Sequence, residues 1–207
     1  MESVVRIGSW TRVKTSAGSQ RIRVRFVMLC LLAVLAGESQ ALNIAVTITP
    51  NTPMSDADTN GWRFQALADI SVTELGTWDE GSDGLPTSVD VGLWNDSGVL
   101  LASAVVPVGT GGFLDSGFRF ASITPIQLIA GQFYVVGASP QSGTLAYQGG
   151  VSPPTPMAVN DAIAFDAGRY AGSSNTLTFP TQAPGSFPEA FFGGNLRFTG
   201  GLNDSIA

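Results

Sequence analysis

Between Gly61 and Ser139 the chain alternates apolar and polar residues over short runs: GWRFQA, ISVTELGTWD, SVDVGLW, GVLLASAVV, GFRFA and PIQLIAGQFYVVGAS. Each run stops at Gly, Pro, Asp, Asn or Ser. A period of two places every second side chain on one face of a strand, whereas a helix needs apolar residues three or four apart. The pattern predicts an all-β chain, an antiparallel β-sandwich of jelly-roll-like form. Within SVDVGLW, Val89, Val91 and Leu93 fall on one face and Asp90, Gly92 and Trp94 on the other. Trp94 then covers that second face or sits at an edge. Asn95-Asp96-Ser97-Gly98 supplies the short polar residues that close a hairpin. The core is predicted to include Phe64, Leu75, Val91, Leu93, Leu101, Phe120, Leu128, Phe133 and Val135.

The flanking regions read less regularly. Leu42 to Ile48 alternates, and TPNTPMSDADTNG after it reads as a loop rich in turn formers. From Gly149 to Pro188 the runs SPPTP, Ser173-Ser174-Asn175 and Pro184-Gly185-Ser186 exclude long regular elements. Short strands are expected at AIAFD and TLTF. NLRFT, from Asn195 to Thr199, is expected to close the fold beside an early strand. There is no clear internal repeat.

The N-terminus has a different character. Six of the ten cations, Arg6, Arg12, Lys14, Arg21, Arg23 and Arg25, precede the apolar run FVMLCLLAVLA from Phe26 to Ala36. Crossing a bilayer takes roughly 20 apolar residues, so this run suits a signal-peptide core behind an extended basic region. Ser39-Gln40-Ala41 offers small residues for cleavage after Ala41, with Ala36 as the alternative. Residues 1–41 are thus expected to be a signal peptide and 42–207 a single sandwich domain, secreted or held in the periplasm or cell envelope.

Residues 42–207 carry four arginines against fourteen acids, a net charge of −10, with no Lys, His or Cys. Nucleic acid demands a basic footprint, so it is excluded as a partner, and anionic membranes are disfavoured likewise. No stable membrane anchor is expected in this portion. The absence of His and Lys removes nucleophilic triads and Schiff-base chemistry. Without Cys and His, the usual zinc sites are removed too. Carboxylate chemistry of the glycosidase type survives, but no spacing among Glu74, Asp79, Glu80, Asp83 and Asp90 identifies a pair.

Two candidate sites remain. In WDEGSDG, Trp78 to Gly84, Asp79, Glu80 and Asp83 crowd a glycine-punctuated loop, with Asp90 just beyond. Calcium takes six to eight oxygen ligands, which such a loop can partly supply. Equally, the aspartates can bond nearby backbone N–H groups as an ordinary turn. Trp62, Trp78, Trp94 and Tyr147 form the second candidate, a platform on which sugar rings stack, unless they fill the core.

GWRF, ISVTELGTWDEGSDGL, VGLWNDSGVLLASAVVP and LIAGQFYVVGA, in that order, resemble a domain of unknown function. It is found in secreted bacterial proteins, often with a C-terminal exosortase (PEP-CTERM) sorting tail. The resemblance covers Asn60 to Ser139 and, more loosely, the later half. It implies a β-sandwich outside the cytoplasm and brings no activity with it. The terminus GGNLRFTGGLNDSIA has no Pro-Glu-Pro motif, apolar helix or basic tip, so retention by that route is not expected. The expected function is a secreted, non-catalytic module that binds extracellular polysaccharide or packs into a matrix or envelope. A carboxylate-dependent glycan-cleaving enzyme and a purely structural envelope protein are the alternatives. N-terminal sequencing of exported protein should begin at Leu42, or at Gly37 for the alternative site; an intact leader on a cytoplasmic product would defeat this expectation.

Overall fold

The alternating runs become strands that all pair antiparallel. The computed structural model describes residues 41–49, 53–148, 157–183 and 192–201, which belong to a unit spanning Gln40–Ala207. The basic leader, SPPTP, Pro184-Gly185-Ser186 and the tail beyond 201 lie outside the described residues. The strands are β1 (Asn43–Ile44), β2 (Val46–Ile48), β3 (Pro53–Asp56), β4 (Thr59–Ala66), β5 (Ile70–Trp78), β6 (Val89–Asn95) and β7 (Leu100–Val106). They continue with β8 (Phe113–Asp115), β9 (Phe118–Leu128), β10 (Phe133–Pro140), β11 (Leu145–Gln148), β12 (Met157–Val159), β13 (Ile163–Ala171) and β14 (Gly194–Gly200). There is no α-helix among the described residues.

Two five-stranded sheets stack as a sandwich, in the orders β1-β14-β5-β9-β8 and β13-β4-β10-β6-β7. Two small ribbons, β3 with β11 and β2 with β12, complete it. The late strand β14 does return beside the early strand β1, as the NLRFT alternation suggests. Val89, Val91 and Leu93 are fully buried on the inner face of β6. The β6–β10 register sets Leu93 opposite Val136 and Val91 opposite Ala138; β4 continues the first row with Trp62, and Phe64 lies two residues on, opposite Tyr134. Phe118, Phe120, Leu75 and Leu196 supply the facing sheet. The hairpin turn after β6 forms as expected: Asn95 Oδ1 accepts the N–H groups of Ser97 and Val99 at 3.1 and 2.9 Å.

Polar bonds also cross between the sheets. The Trp62 indole N–H, from β4, donates to the Gly194 carbonyl of β14 at 2.7 Å, and both groups are buried. Glycine is needed at that point, because an added Cβ on Gly194 would lie 2.9 Å from the Gly137 Cα of β10. Here backbone meets backbone.

The second face of β6 is covered too, by a segment that the sequence left loose. Residues 172–182 leave and rejoin the edge of the sheet, where Tyr170 and Gln182 exchange backbone hydrogen bonds at 2.9 and 3.0 Å. Thr59 holds this strap: its hydroxyl donates to the Thr176 carbonyl at 3.2 Å and accepts the Thr178 N–H at 3.1 Å. Phe179 thereby lies 5.9 Å from Trp94, ring centre to ring centre. The Trp94 ring lies over Gly92, where a Cβ would collide with it.

Several sequence expectations need correction. TPNTPMSDADTNG is not all loop, since it contains β3 and the start of β4. AIAFD lies largely within the nine-residue strand β13, but TLTF is part of the strap and pairs as no strand. Leu101 is only half-buried, and Phe133 is half-buried on the outer face, where the Arg63 guanidinium lies 3.8 Å from its ring centre. β10 is apolar on both faces, so alternation gave no means of choosing between them. Val135 is buried, but its register partner on β6 is Trp94, on the outer row. Leu93→Ala should therefore cost about 2–5 kcal/mol in denaturant unfolding, and Leu101→Ala distinctly less; equal losses would contradict this assignment of the core.

Candidate functional site

The acidic loop after β5 is built around an internal ion pair. Asp79 is buried, and the Arg119 Nε of β9 donates to its Oδ2 at 2.6 Å. Both carboxylate oxygens of Asp79 also accept the Gly84 N–H at 3.2 Å. Arg119 spends three further N–H groups on the carbonyls of Gly112, Ser82 and Thr110, at 3.1, 3.3 and 3.4 Å. One guanidinium therefore clips the acidic turn to the loop before β8.

The four acids proposed for calcium do not converge. Glu80 Oε2 accepts from the Trp78 indole at 2.7 Å and from the Gln148 amide at 2.9 Å. Asp83 is exposed. Asp90 sits in the opposite sheet and accepts from Gln141 at 2.9 Å. No group of three or more carboxylate, His or Cys side chains is placed to hold a metal among the described residues. The calcium expectation is thus corrected: the cation that relieves the loop's repulsion is Arg119, forty positions along the chain. Trp78, Glu80 and Asp83 do share a cleft of about 260 Å³ with Leu145 and Ala146.

The aromatic platform is corrected as well. Trp62, Trp78, Trp94 and Tyr147 are 0, 3, 4 and 5% exposed, so none offers a free face to a sugar. Trp62 packs with Phe64, Phe165 and Phe192. Trp78 meets the edge of Phe118 at 5.1 Å. It also requires Gly117 beside it, where φ is +81° and any Cβ would come within 2.7 Å of the ring.

A different hollow, of about 350 Å³, opens where the β6–β7 turn approaches β9 and the start of β10. Leu101 and Ile126 give it apolar walls, and Tyr134 is fixed there because its hydroxyl accepts the Ile129 N–H at 2.9 Å. Asp96, Ser97, Gln127 and Gln132 form a polar, exposed rim beside Phe133. The rim is braced from behind. Arg63 backs the Phe133 ring and grips Asp96 through Nε and Nη2 at 2.6 and 2.9 Å, while Nη1 reaches Asp166 at 2.8 Å. The hydrogen bond from Arg63 holds the Asp96 carboxyl below its usual range, and the same bond raises Arg63 above its own. Asp96 therefore stays ionised and fixed in place. The side chains of Gln127 and Gln132 make no hydrogen bond among the described residues and present amides outward.

This rim carries amides, a hydroxyl and one carboxylate, which suits fixed hydrogen bonds to a polar, uncharged ligand. It holds a single acid, whereas glycoside cleavage uses two carboxyl groups roughly 5 to 9.5 Å apart. Sequence reasoning missed Gln127, Gln132 and Phe133 as site residues because they meet Asp96 only through the sheet order. The one local signal was the Asn95–Gly98 turn, which fixes where Asp96 projects.

The Asp79–Arg119 pair generates a stability prediction. Arg119→Met should cost about 3–5 kcal/mol, because it leaves a buried carboxylate without its counter-ion. Adding Asp79→Asn should recover part of that loss in urea unfolding. A single-mutant loss below about 1 kcal/mol, the size of a surface pair, would contradict the buried clip.

No curated protein matches the chain. A family model does, over residues 46–188, from β2 through the strap and beyond. Its description is "Domain of unknown function (DUF4082)", and with most of its length matched the chain belongs to that family.

Proposed function

We propose that this protein is an extracellular, non-catalytic binding module that takes a neutral saccharide in the hollow beside Phe133. The observation that supports the reading is the braced rim, in which Asp96 is immobilised by Arg63 next to the outward amides of Gln127 and Gln132. Amides and a carboxylate held in place accept and donate to ring hydroxyls with little ordering cost on binding. The half-buried Phe133 ring and the side chains of Leu101 and Ile126 give the apolar sugar face a surface to cover. Binding without cleavage fits the lone acid of the rim and the internal commitment of Asp79 and Glu80. Export through the N-terminal leader would deliver such a module to polysaccharide outside the cell or in its envelope.

A glycan array probed with the full chain tests the proposal. A retained glycan should lose affinity by about tenfold with Gln132→Ala, the value of one hydrogen bond of about 1.4 kcal/mol. Phe133→Ala should weaken it further, and Asp83→Ala, in the other cleft, should leave it unchanged. Reducing-end assays should detect no cleavage of that glycan. Binding indifferent to Gln132 and Phe133, or no glycan retained, would overturn the assignment.

A further inference from the structure

We infer that the β7 side of the sandwich is a self-association surface, on which a second copy of this chain docks edge to edge. Strand β7 is the terminal strand of one sheet and β8 that of the other, and β7 packs across the sandwich against β9, the neighbour of β8. Both free edges therefore lie on the same side of the molecule. Strand β7 and the first two residues of β8 come from one continuous stretch, Ser97 to Leu114, that contains no charged residue, and Asp115, the last residue of β8, is paired with Arg197. Of the ten large apolar residues exposed among the described residues, six fall in this stretch: Val99, Leu100, Val105, Val108, Phe113 and Leu114.

Such an edge lacks the usual protection. Free edge strands are normally blunted by Lys, inward charges or proline within the strand. LLASAVV has none of these, and its only bulge lies at its start, opposite Leu93 and Trp94. Among the described residues β7 pairs with β6 only, so its outward backbone groups are open to another strand.

Charge selects the occupant. Residues 42–207 carry a net charge of −10, and the described arginines, Arg63, Arg119, Arg169 and Arg197, are all committed to carboxylates of their own chain. A basic partner would be drawn to the acidic faces and has nothing to gain at a neutral edge. Two copies of this chain repel everywhere except through a charge-free side. Their β7 strands, related by a two-fold axis, form an antiparallel pair in which the same patch serves both subunits. The outward side chains Leu100, Ser103 and Val105 then meet their equivalents.

Sedimentation velocity on the full chain, over about a hundredfold range of concentration, tests this because dimerisation follows mass action. The wild type should shift from monomer to dimer, and added salt should strengthen the dimer by screening the acidic bodies from one another. Val105→Lys and Leu100→Lys, both at exposed positions, should each weaken it by about tenfold or more, with circular dichroism and melting unchanged. Ile129→Lys, an exposed apolar site at another turn, should leave it intact. A chain that stays monomeric throughout overturns the inference. So does a dimer indifferent to the β7 lysines, or one equally sensitive to Ile129→Lys, since both would place the contact elsewhere.

Discussion

The hydrogen bond from the Trp62 indole to the Gly194 carbonyl fixes how the two sheets meet. Sheets ordinarily stack about 10 Å apart, with interdigitated side chains between them. Around Gly193-Gly194 that spacing collapses. An added Cβ at Gly193 would fall 2.8 Å from the Asn60 carbonyl oxygen, and one at Gly194 would press on Gly137. The Gly193 carbonyl, for its part, accepts the Trp78 N–H and the Thr77 hydroxyl at 3.0 and 3.1 Å. The largest core side chain is thus tethered beside the closest backbone approach, and Phe64, Phe165 and Phe192 pack around it. The opposite end of β10, at Phe133 and Tyr134, is left free to line the hollow.

Electrostatics plays a second, local part. Of the four arginines in the described residues, three join pieces that the chain separates, while Arg169 pairs within its own strand. Arg119 joins the acidic turn to the loop before β8. Arg63 joins the β6–β7 turn to β13 through Asp96 and Asp166. Arg197 of β14 meets Glu74 of β5 at 2.8 Å and Asp115 of β8 at 3.5 Å. The exposed pairs contribute little energy individually. Their effect is to position loops, and the rim of the hollow is one product of that positioning.

Much of this architecture was legible in the residues. Alternation in SVDVGLW placed Val91 and Leu93 in the core, and the NDSG turn specified its hairpin. It failed where both faces of a strand are apolar, as in QFYVVGAS, because the strap from 172 to 182 turns an outer face into a second buried layer. The strap itself was invisible: Thr59 and Thr178 meet only through the fold, and TLTF reads as a strand to any local rule. The site was less legible still. Asp79, Glu80 and Asp83 are near neighbours in sequence and looked like one constellation, yet the first turns inward to Arg119. Asp96, Gln127 and Gln132 are far apart in sequence and meet at one rim. Trp62, Trp78 and Trp94 are the largest rings and so the ones that burial most favours, which is why ring size points away from solvent-facing aromatics.

The four arginine anchors have a consequence for how the molecule senses acidity. Residues 42–207 contain no His or Cys, the side chains whose ordinary titration falls nearest neutrality. The slope of stability against pH follows the difference in bound protons between unfolded and folded chains, so across the neutral range the side chains give it no cause to tilt. The Arg63–Asp96 contact contributes fully above the ordinary carboxylate range and is lost only as pH falls through the depressed value of Asp96. A fold fastened in this way has no histidine or cysteine to switch its charge as the pH crosses neutrality.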